Sequence, residues 1–212
     1  MKKLYLVRHA ESEGNVGTHQ QGPSTPLSEQ GNQQTALIAA RFKAITVDRI
    51  ISSPQTRAKT TAEAIASIVG MEIEYSDLLI ERKKPTAVIG MDRNSAEFNE
   101  IENLVYDNFH TLDWKHSDEE NFLDLKARAA KLFSYVESLE EERLLLVSHG
   151  FFMAMLTAYA IFGKDLTSQE FWAIVIGIEH SNTGITVIKQ AKFKEEPVRW
   201  KLLTWNDHAH LG

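Results

Sequence analysis

The chain reads Leu6-Val7-Arg8-His9-Ala10-Glu11-Ser12-Glu13-Gly14-Asn15 at the end of a short apolar run that begins at Leu4. The apolar residues have the length and composition of a buried strand. Arg8 and His9 therefore stand at the carboxyl end of a strand, where open α/β sheets place their ligand sites. Arginine offers a planar fork of donors for phosphate oxygens, and imidazole offers a nitrogen nucleophile. The pair suggests phosphoryl transfer through a phosphorylated histidine.

Two later apolar runs end in polar residues in the same way. Arg49–Ile51 leads into Ser52-Ser53-Pro54, and Arg57 follows in the first turn of the next predicted helix. Leu144–Val147 leads into a segment that contains His149. Because the carboxyl ends of parallel strands meet at one edge of a sheet, the two arginines and two histidines of these strand ends should converge.

Cleavage of a phosphate monoester requires such a set of groups. Cationic donors must hold the equatorial phosphoryl oxygens, and Arg8 and Arg57 can act as that clamp. One histidine must be neutral to attack, while the other can be cationic and bind an oxygen. A carboxylic acid must protonate the leaving alkoxide. Glu81, which follows the apolar run Leu78–Ile80, is the best candidate by position.

Strand-like and helix-like segments alternate along the chain, which favours an α/β fold with a mainly parallel sheet. The predicted strands are Leu4–Val7, Arg49–Ile51, Glu72–Tyr75, Leu144–Val147, Ala173–Ile178, Thr183–Lys189 and Val198–Leu203. The predicted helices are 28–42, 56–69, 95–109, 118–140 and 150–162, and Ala10–Leu27 is predicted as a loop. Since no linker divides the sequence, we expect one domain over 1–212, with an insertion at about 80–116 that covers the sheet edge or a substrate site.

Bulk composition excludes several classes of protein. The net charge of −6 at pH 7 does not favour non-specific nucleic-acid binding. Cysteine is absent, so disulfides and thiolate sites are excluded and a reducing compartment fits. The apolar stretch Phe151–Phe162 is well short of the roughly 20 residues that a membrane-spanning helix needs. We therefore expect a cytoplasmic protein that binds neither nucleic acid nor membrane, and the oligomeric state stays open.

Five segments, taken in order, resemble the motifs of the histidine phosphatase superfamily, in its phosphoglycerate-mutase-like branch. They are LVRHAESEGN, SSPQTRAKTTAEA, LLIERKKP, LLLVSHGFF and HSNTGITVI, and the resemblance extends from Lys3 to about Lys189. It implies a three-layer α/β sandwich with a mostly parallel central sheet. It also implies that no metal and no dissociable cofactor take part.

The resemblance assigns roles to individual residues. It implies that His9 is the transiently phosphorylated nucleophile and that Glu81 is the proton donor. Arg8, Arg57 and His149 would form the phosphate pocket. Loop positions that line the substrate site in this branch are matched by Asn15, Gln21 and Gly22.

The chain departs from the family pattern after Glu81. Many members continue with an acidic, aromatic and glycine-rich stretch, whereas this chain continues with Arg82-Lys83-Lys84-Pro85-Thr86. The three basic residues could steer a polyanionic substrate, or they could form a solvated loop. The departure weakens any assignment as a glycolytic mutase.

Three functions stay open at this point. A phosphatase that acts on a small phosphorylated substrate or a phosphoprotein leads. A phosphoglycerate-mutase-type phosphotransferase is the alternative, and a non-catalytic phosphate-binding module is the third.

Overall fold

A six-stranded sheet forms the centre of the molecule, and the computed structural model describes the whole chain, Met1–Gly212. The strands are β1 (Lys3–Arg8), β2 (Arg49–Ser52), β3 (Ile73–Tyr75), β4 (Arg143–Ser148), β5 (Ile185–Ala191) and β6 (Arg199–Asp207), in the spatial order β3-β2-β4-β1-β5-β6. The first four strands of that order run parallel, whereas β5 and β6 run antiparallel to their neighbours. The predicted α/β fold with a mostly parallel sheet is confirmed.

Helices cover both faces of this sheet and make three layers. They are α1 (Glu13–Val16), α2 (Glu29–Phe42), α3 (Thr56–Val69), α4 (Ala96–Asp107), α5 (Phe122–Ser138), α6 (Gly150–Phe162) and α7 (Ser168–Gly177). The central strand β4 shows how the layers form, because successive side chains of a strand point to opposite faces. Leu145 and Val147 pack with α2 and α3, whereas Leu144 and Leu146 pack with α5 and α6. No helix combines the length and apolar character that crossing a membrane requires.

The prediction of a strand at Ala173–Ile178 is wrong, because most of this stretch lies in α7. Its β-branched residues favour a strand locally. The helix nevertheless begins just before them, where Thr167 and Glu170 exchange hydrogen bonds in a capping box. Phe171 is fully buried in the core beside α6 and holds the helix in place. Capping and burial together outweigh the local strand preference.

Two smaller differences also come from helix caps. The helix predicted from Asp118 begins at Phe122, because Asn121 accepts a hydrogen bond from the backbone N–H of Asp124. The predicted loop Ala10–Leu27 contains the short helix α1. The other predicted strands and helices are confirmed to within a few residues at their ends.

The loop after β1 lies against the start of α2, and Gly31 is the point of closest approach. A Cβ atom at this position would lie 1.9 Å from the carbonyl oxygen of Glu11. The same segment is held by hydrogen bonds from Ser28 to Glu11, through the backbone N–H at 3.0 Å and the hydroxyl at 2.6 Å. The loop that follows Arg8 and His9 therefore depends on a residue without a side chain.

We predict that Gly31→Ala destabilises the protein by about 1–3 kcal/mol, the usual cost of overpacking a closed contact. Alanine ordinarily stabilises a helix relative to glycine, so the sign of the change is diagnostic. Gly177→Ala is the matched control, because a Cβ there meets nothing within 4 Å. Urea unfolding should show a lower free energy of unfolding for Gly31→Ala and no decrease for Gly177→Ala. Equal stability of the two variants would contradict the close approach.

Candidate active site

The three strand ends identified in the sequence meet at one edge of the sheet. Arg8 of β1 is paired in register with Ser148 of β4, and Ser52 of β2 is paired with Val147 of β4. The residues that follow these strands are therefore neighbours, and the predicted convergence of the two arginines and two histidines is observed. The imidazole rings of His9 and His149 lie 5.0 Å apart between their centroids.

His9 is held as a neutral imidazole with one defined tautomer. Its side chain is buried, and Nδ1 lies 2.7 Å from the carbonyl oxygen of Ala10. A carbonyl only accepts hydrogen bonds, so Nδ1 carries the proton and Nε2 carries the lone pair. Nε2 accepts a hydrogen bond from Nε of Arg57 at 3.3 Å. Burial, followed by the charges of Arg57 and Arg8, holds the pKa of His9 well below 6.5.

Arg57 is fixed by three hydrogen bonds at the start of α3. Besides its contact with His9, the guanidinium donates to the carbonyl oxygen of Gly22 at 3.0 Å and to the side-chain oxygen of Gln55 at 2.7 Å. Burial lowers the pKa of Arg57 to about 10, so the group stays cationic at neutral pH. Its position is set by the folded loop as well as by its own helix.

Arg8 approaches the site from the other side. Its Nη1 donates to the backbone carbonyl of His180, while its buried Nε has no partner within the protein. Gly150 makes room for the guanidinium, since a Cβ at that position would lie 3.3 Å from Nε. Burial lowers the pKa of Arg8 from its ordinary value. A largely buried cation with an unpartnered N–H donor is suited to an anionic oxygen.

His149 is fully buried, with one ring nitrogen bound and the other free. Nε2 lies 2.9 Å from the hydroxyl of Ser53, and the buried Nδ1 has no partner within the protein. Burial and the neighbouring His9, Arg57 and Arg8 hold the pKa of His149 well below 6.5. Both imidazoles are therefore neutral at pH 7. A phosphate dianion next to His149 would favour proton uptake by its ring.

Glu81 lies at the N-terminus of α6. The oxygens of its carboxyl group accept hydrogen bonds from the backbone N–H groups of Phe152 at 3.0 Å, Phe151 at 3.3 Å and Arg82 at 2.9 Å. These donors hold the carboxyl group between two surface clefts, one on the Arg57 side and one on the Arg8 side. Among the residues that line both clefts, Glu81 is the one that carries a carboxyl group.

The cleft on the Arg57 side has a volume of about 670 Å³. Its walls are the loop 20–23, the start of α3 and the segment 80–89. Gln21 and Gly22 line it, as the family resemblance implies, whereas Asn15 does not. The side-chain oxygen of Asn15 accepts hydrogen bonds from the backbone of Ser12 and the amide of Asn182, so this residue ties the loop together.

The basic segment after Glu81 is only partly a solvated loop. Lys83 pairs with Asp118 at 3.1 Å, and Lys84 pairs with Glu102 at 2.6 Å. Arg82 instead stacks on the ring of Phe151 at 4.7 Å and makes no ion pair. All three basic side chains line the cleft on the Arg57 side.

Residues outside the predicted set also contact the site. Asn182 donates to the backbone carbonyl of His9 at 2.8 Å, and Ser53 binds the ring of His149. Both lie within the motif segments that match the family, which is the only signal that could have identified them. No group of three or more His, Asp or Glu side chains lies close enough to hold a metal ion.

Comparison with known proteins agrees with this geometry. The family model described as histidine phosphatase superfamily (branch 1) matches residues 4–208. The chain belongs to the histidine phosphatase superfamily. Its relatives include the probable phosphoglycerate mutase GpmB of Salmonella choleraesuis, which is 32% identical over 100% of this chain and 95% of that protein.

Solved structures of other proteins share the fold of this chain. YhfR of Bacillus stearothermophilus superimposes with a TM-score of 0.82 at 26% identity and covers 100% of both chains. A mycobacterial glucosyl-3-phosphoglycerate phosphatase superimposes with a TM-score of 0.76 at 23% identity, over 97% of this chain and 99% of that chain. At that identity the second likeness concerns the fold alone.

The buried histidines of this superfamily member make its stability depend on pH. In the unfolded chain, His9, His149 and His180 take up protons near pH 6.5. In the folded protein burial lowers all three pKa values, that of His180 to about 4. The unfolded state therefore binds more protons below pH 6.5. The stability that the three neutral histidines allow is fully present above pH 6.5, and it is lost as the pH falls below that value.

We predict that each of these histidines lowers the free energy of unfolding by about 1 kcal/mol per pH unit as the pH falls from 6 to 5. The free energy of unfolding, measured in urea across this range, should fall steeply for the wild type. His149→Gln removes one titrating group and should make the slope shallower. An unchanged slope in this variant would contradict the neutral, buried state of His149.

Proposed function

We propose that this protein is a phosphatase that hydrolyses phosphate monoesters through a phosphohistidine on His9. The observation that carries the proposal is the tautomer of His9. Its Nδ1–H is bound to the Ala10 carbonyl, so Nε2 carries the lone pair and faces Arg57, whose Nε donates to it at 3.3 Å. An unprotonated imidazole nitrogen beside cationic donors is what attack on a phosphoryl group requires.

In the first step, Nε2 of His9 forms a bond to phosphorus while the bond from phosphorus to the leaving oxygen breaks. Arg8 and Arg57 hold the equatorial oxygens and offset their negative charge. His149 donates to another oxygen through Nδ1, since Ser53 occupies its Nε2. The carboxylic acid of Glu81 gives its proton to the departing alkoxide.

In the second step, water replaces the leaving group on the same side of the phosphoryl group. The carboxylate of Glu81 takes a proton from this water as its oxygen bonds to phosphorus. The bond from His9 to phosphorus then breaks, inorganic phosphate leaves, and the imidazole returns to its neutral form. The two steps return every group to its starting state.

Several features favour hydrolysis of a small phosphorylated substrate or a phosphoprotein. The fold is similar to that of a mycobacterial glucosyl-3-phosphoglycerate phosphatase. The cleft beside Arg57 offers about 670 Å³ and carries basic side chains.

We further propose that residues 1–212 act as one catalytic domain in which 80–116 covers the substrate. The cysteine-free composition fits a reducing compartment, and we infer the cytoplasm as the place of action.

A mutase is the second candidate, because a relative that spans this whole chain is a probable phosphoglycerate mutase. A mutase must keep water from the phosphohistidine and return the phosphoryl group to a substrate hydroxyl. The basic residues after Glu81 favour the phosphatase, since this stretch departs from the family pattern of the mutases. Free phosphate is the product that separates the two reactions.

We predict that the wild type releases inorganic phosphate from monoesters without added bisphosphoglycerate. It should also form an acid-labile, base-stable label from a substrate with labelled phosphorus, because phosphohistidine has that stability. His9→Ala should abolish both turnover and label, since no nucleophile remains.

The matched control is His149→Ala, which should slow turnover but keep the label on the protein. A label that persists in His9→Ala and disappears in His149→Ala would reverse the two roles. Phosphoryl exchange without net release would support the mutase. If the protein binds phosphate but neither takes up the label nor releases phosphate from monoesters, the result would support the non-catalytic phosphate-binding module.

We predict that Glu81→Gln slows hydrolysis of an alkyl phosphate by about 10²-fold or more. An alkoxide is a poor leaving group, so its departure depends on a proton donor. The same variant should barely affect p-nitrophenyl phosphate, whose phenolate leaves without a proton. Steady-state rates on the two substrates are the measurement.

Equal losses on both substrates would point to a general electrostatic effect rather than to proton donation. An unchanged rate on both substrates would mean that another residue is the proton donor. The next carboxylates to examine would be those in the 92–102 stretch, namely Asp92, Glu97, Glu100 and Glu102.

A further inference from the structure

The turn formed by Glu179–Gly184 contacts the catalytic strand end on one side. The backbone carbonyl of His180 accepts a hydrogen bond from Nη1 of Arg8. The backbone N–H of Thr183 donates to the carbonyl of Arg8 at 3.0 Å, and the amide of Asn182 donates to the carbonyl of His9 at 2.8 Å. This turn therefore orients the guanidinium of Arg8 and fixes the peptide groups on both sides of the His9 Cα atom.

The opposite side of the turn is held by the segment Trp205–His210, at the end of β6 and just beyond it. The indole N–H of Trp205 donates to the carbonyl of Glu179 at 2.9 Å, and its ring lies 4.3 Å from that of His180. His210 contacts the hydroxyl of Thr183 at 3.0 Å through Nε2. Contacts from the C-terminal segment thus reach both ends of the turn.

Asn206 makes the most specific of these contacts. Its side-chain oxygen accepts from the backbone N–H of Ser181 at 2.8 Å, and its side-chain nitrogen donates to the hydroxyl of Ser181 at 3.1 Å. A Cβ at Gly184 would lie 2.0 Å from the same side-chain oxygen, so the turn closes directly on this amide. Asn206 itself has a φ of 45°, a left-handed conformation that asparagine tolerates better than most residues.

The turn stores backbone strain that these contacts must offset. Thr183 has a φ of 58°, which is unfavourable for a β-branched residue, and its side chain is fully buried. Such a conformation persists only where the surrounding structure over-determines it. The hydrogen bonds of Asn206 and His210 are part of that support. Without them the turn can relax, and the His180 carbonyl that orients Arg8 would move.

We propose that Asn206 and Trp205 are positioning residues for phosphate binding, which act through the 179–184 turn to set the guanidinium of Arg8. Neither residue lines the clefts beside Glu81. Their effect passes through the His180 carbonyl and reaches phosphate only through Arg8. The inference rests on the proposed function to the extent that Arg8 is a phosphate ligand.

A double-mutant cycle on the full-length protein tests this coupling, with inorganic phosphate as the probe and calorimetric titration as the readout. Asn206→Ala should weaken phosphate binding at least tenfold. In an Arg8→Ala background the same substitution should have no further effect, because the group through which it acts is gone. Leu203→Ala is the matched control, since this exposed β6 side chain lies outside the segment Trp205–His210 and forms no hydrogen bond.

The outcomes separate this inference from the proposed function. If Arg8→Ala leaves phosphate affinity unchanged, the assignment of Arg8 as a phosphate ligand fails. If Arg8→Ala weakens binding but Asn206→Ala does not, the positioning role is overturned. The positioning role is also overturned if Asn206→Ala lowers phosphate affinity equally in the wild-type and Arg8→Ala backgrounds, because the effect would then not depend on Arg8.

A milder variant covers the case in which Asn206→Ala does not fold. Trp205→Phe keeps a ring against His180 and removes only the N–H that binds the Glu179 carbonyl. It should weaken phosphate binding by a smaller factor and should also lose that effect in the Arg8→Ala background. Wild-type affinity in folded Trp205→Phe would overturn the role of Trp205.

Discussion

The hydrogen bond from Nδ1 of His9 to the carbonyl oxygen of Ala10 is the interaction on which the proposed chemistry depends. It leaves Nε2 as the nitrogen with a lone pair, and burial beside two arginines keeps that nitrogen unprotonated. A histidine with a proton on Nε2 could not attack phosphorus. Arg57 completes the arrangement, because its Nε donates to the same lone pair and so holds the ring where a phosphoryl group would replace that contact.

The parallel part of the sheet explains how distant residues reach one pocket. β2, β4 and β1 are neighbours with matching registers, so each delivers its polar residues to the same edge. The antiparallel pair β5 and β6 serves another purpose, since the turn before β5 and the end of β6 meet behind Arg8. The edge of the sheet that carries the candidate site is thus built by parallel strands and supported by antiparallel ones.

The sequence predicts well which side chains meet at the site, because Arg8, His9 and His149 each follow a short apolar run that is typical of a buried strand. The tautomer of His9 has no such signal, since it depends on where the Ala10 carbonyl points after folding. Asn182 acts through contacts between segments far apart in the chain, so no local pattern reveals its partners. The wrong strand at Ala173–Ile178 has the same origin, because local preference was outweighed by a cap and by burial of Phe171.

The stereochemical course at phosphorus tests the covalent intermediate most directly. A phosphorothioate monoester, made chiral with an oxygen isotope and hydrolysed in isotopically labelled water, reports how many in-line displacements occur. Attack by His9 followed by attack of water is two displacements, so the account predicts net retention of configuration. Net inversion would mean that water attacks the substrate in a single step, and it would contradict a phosphohistidine on His9.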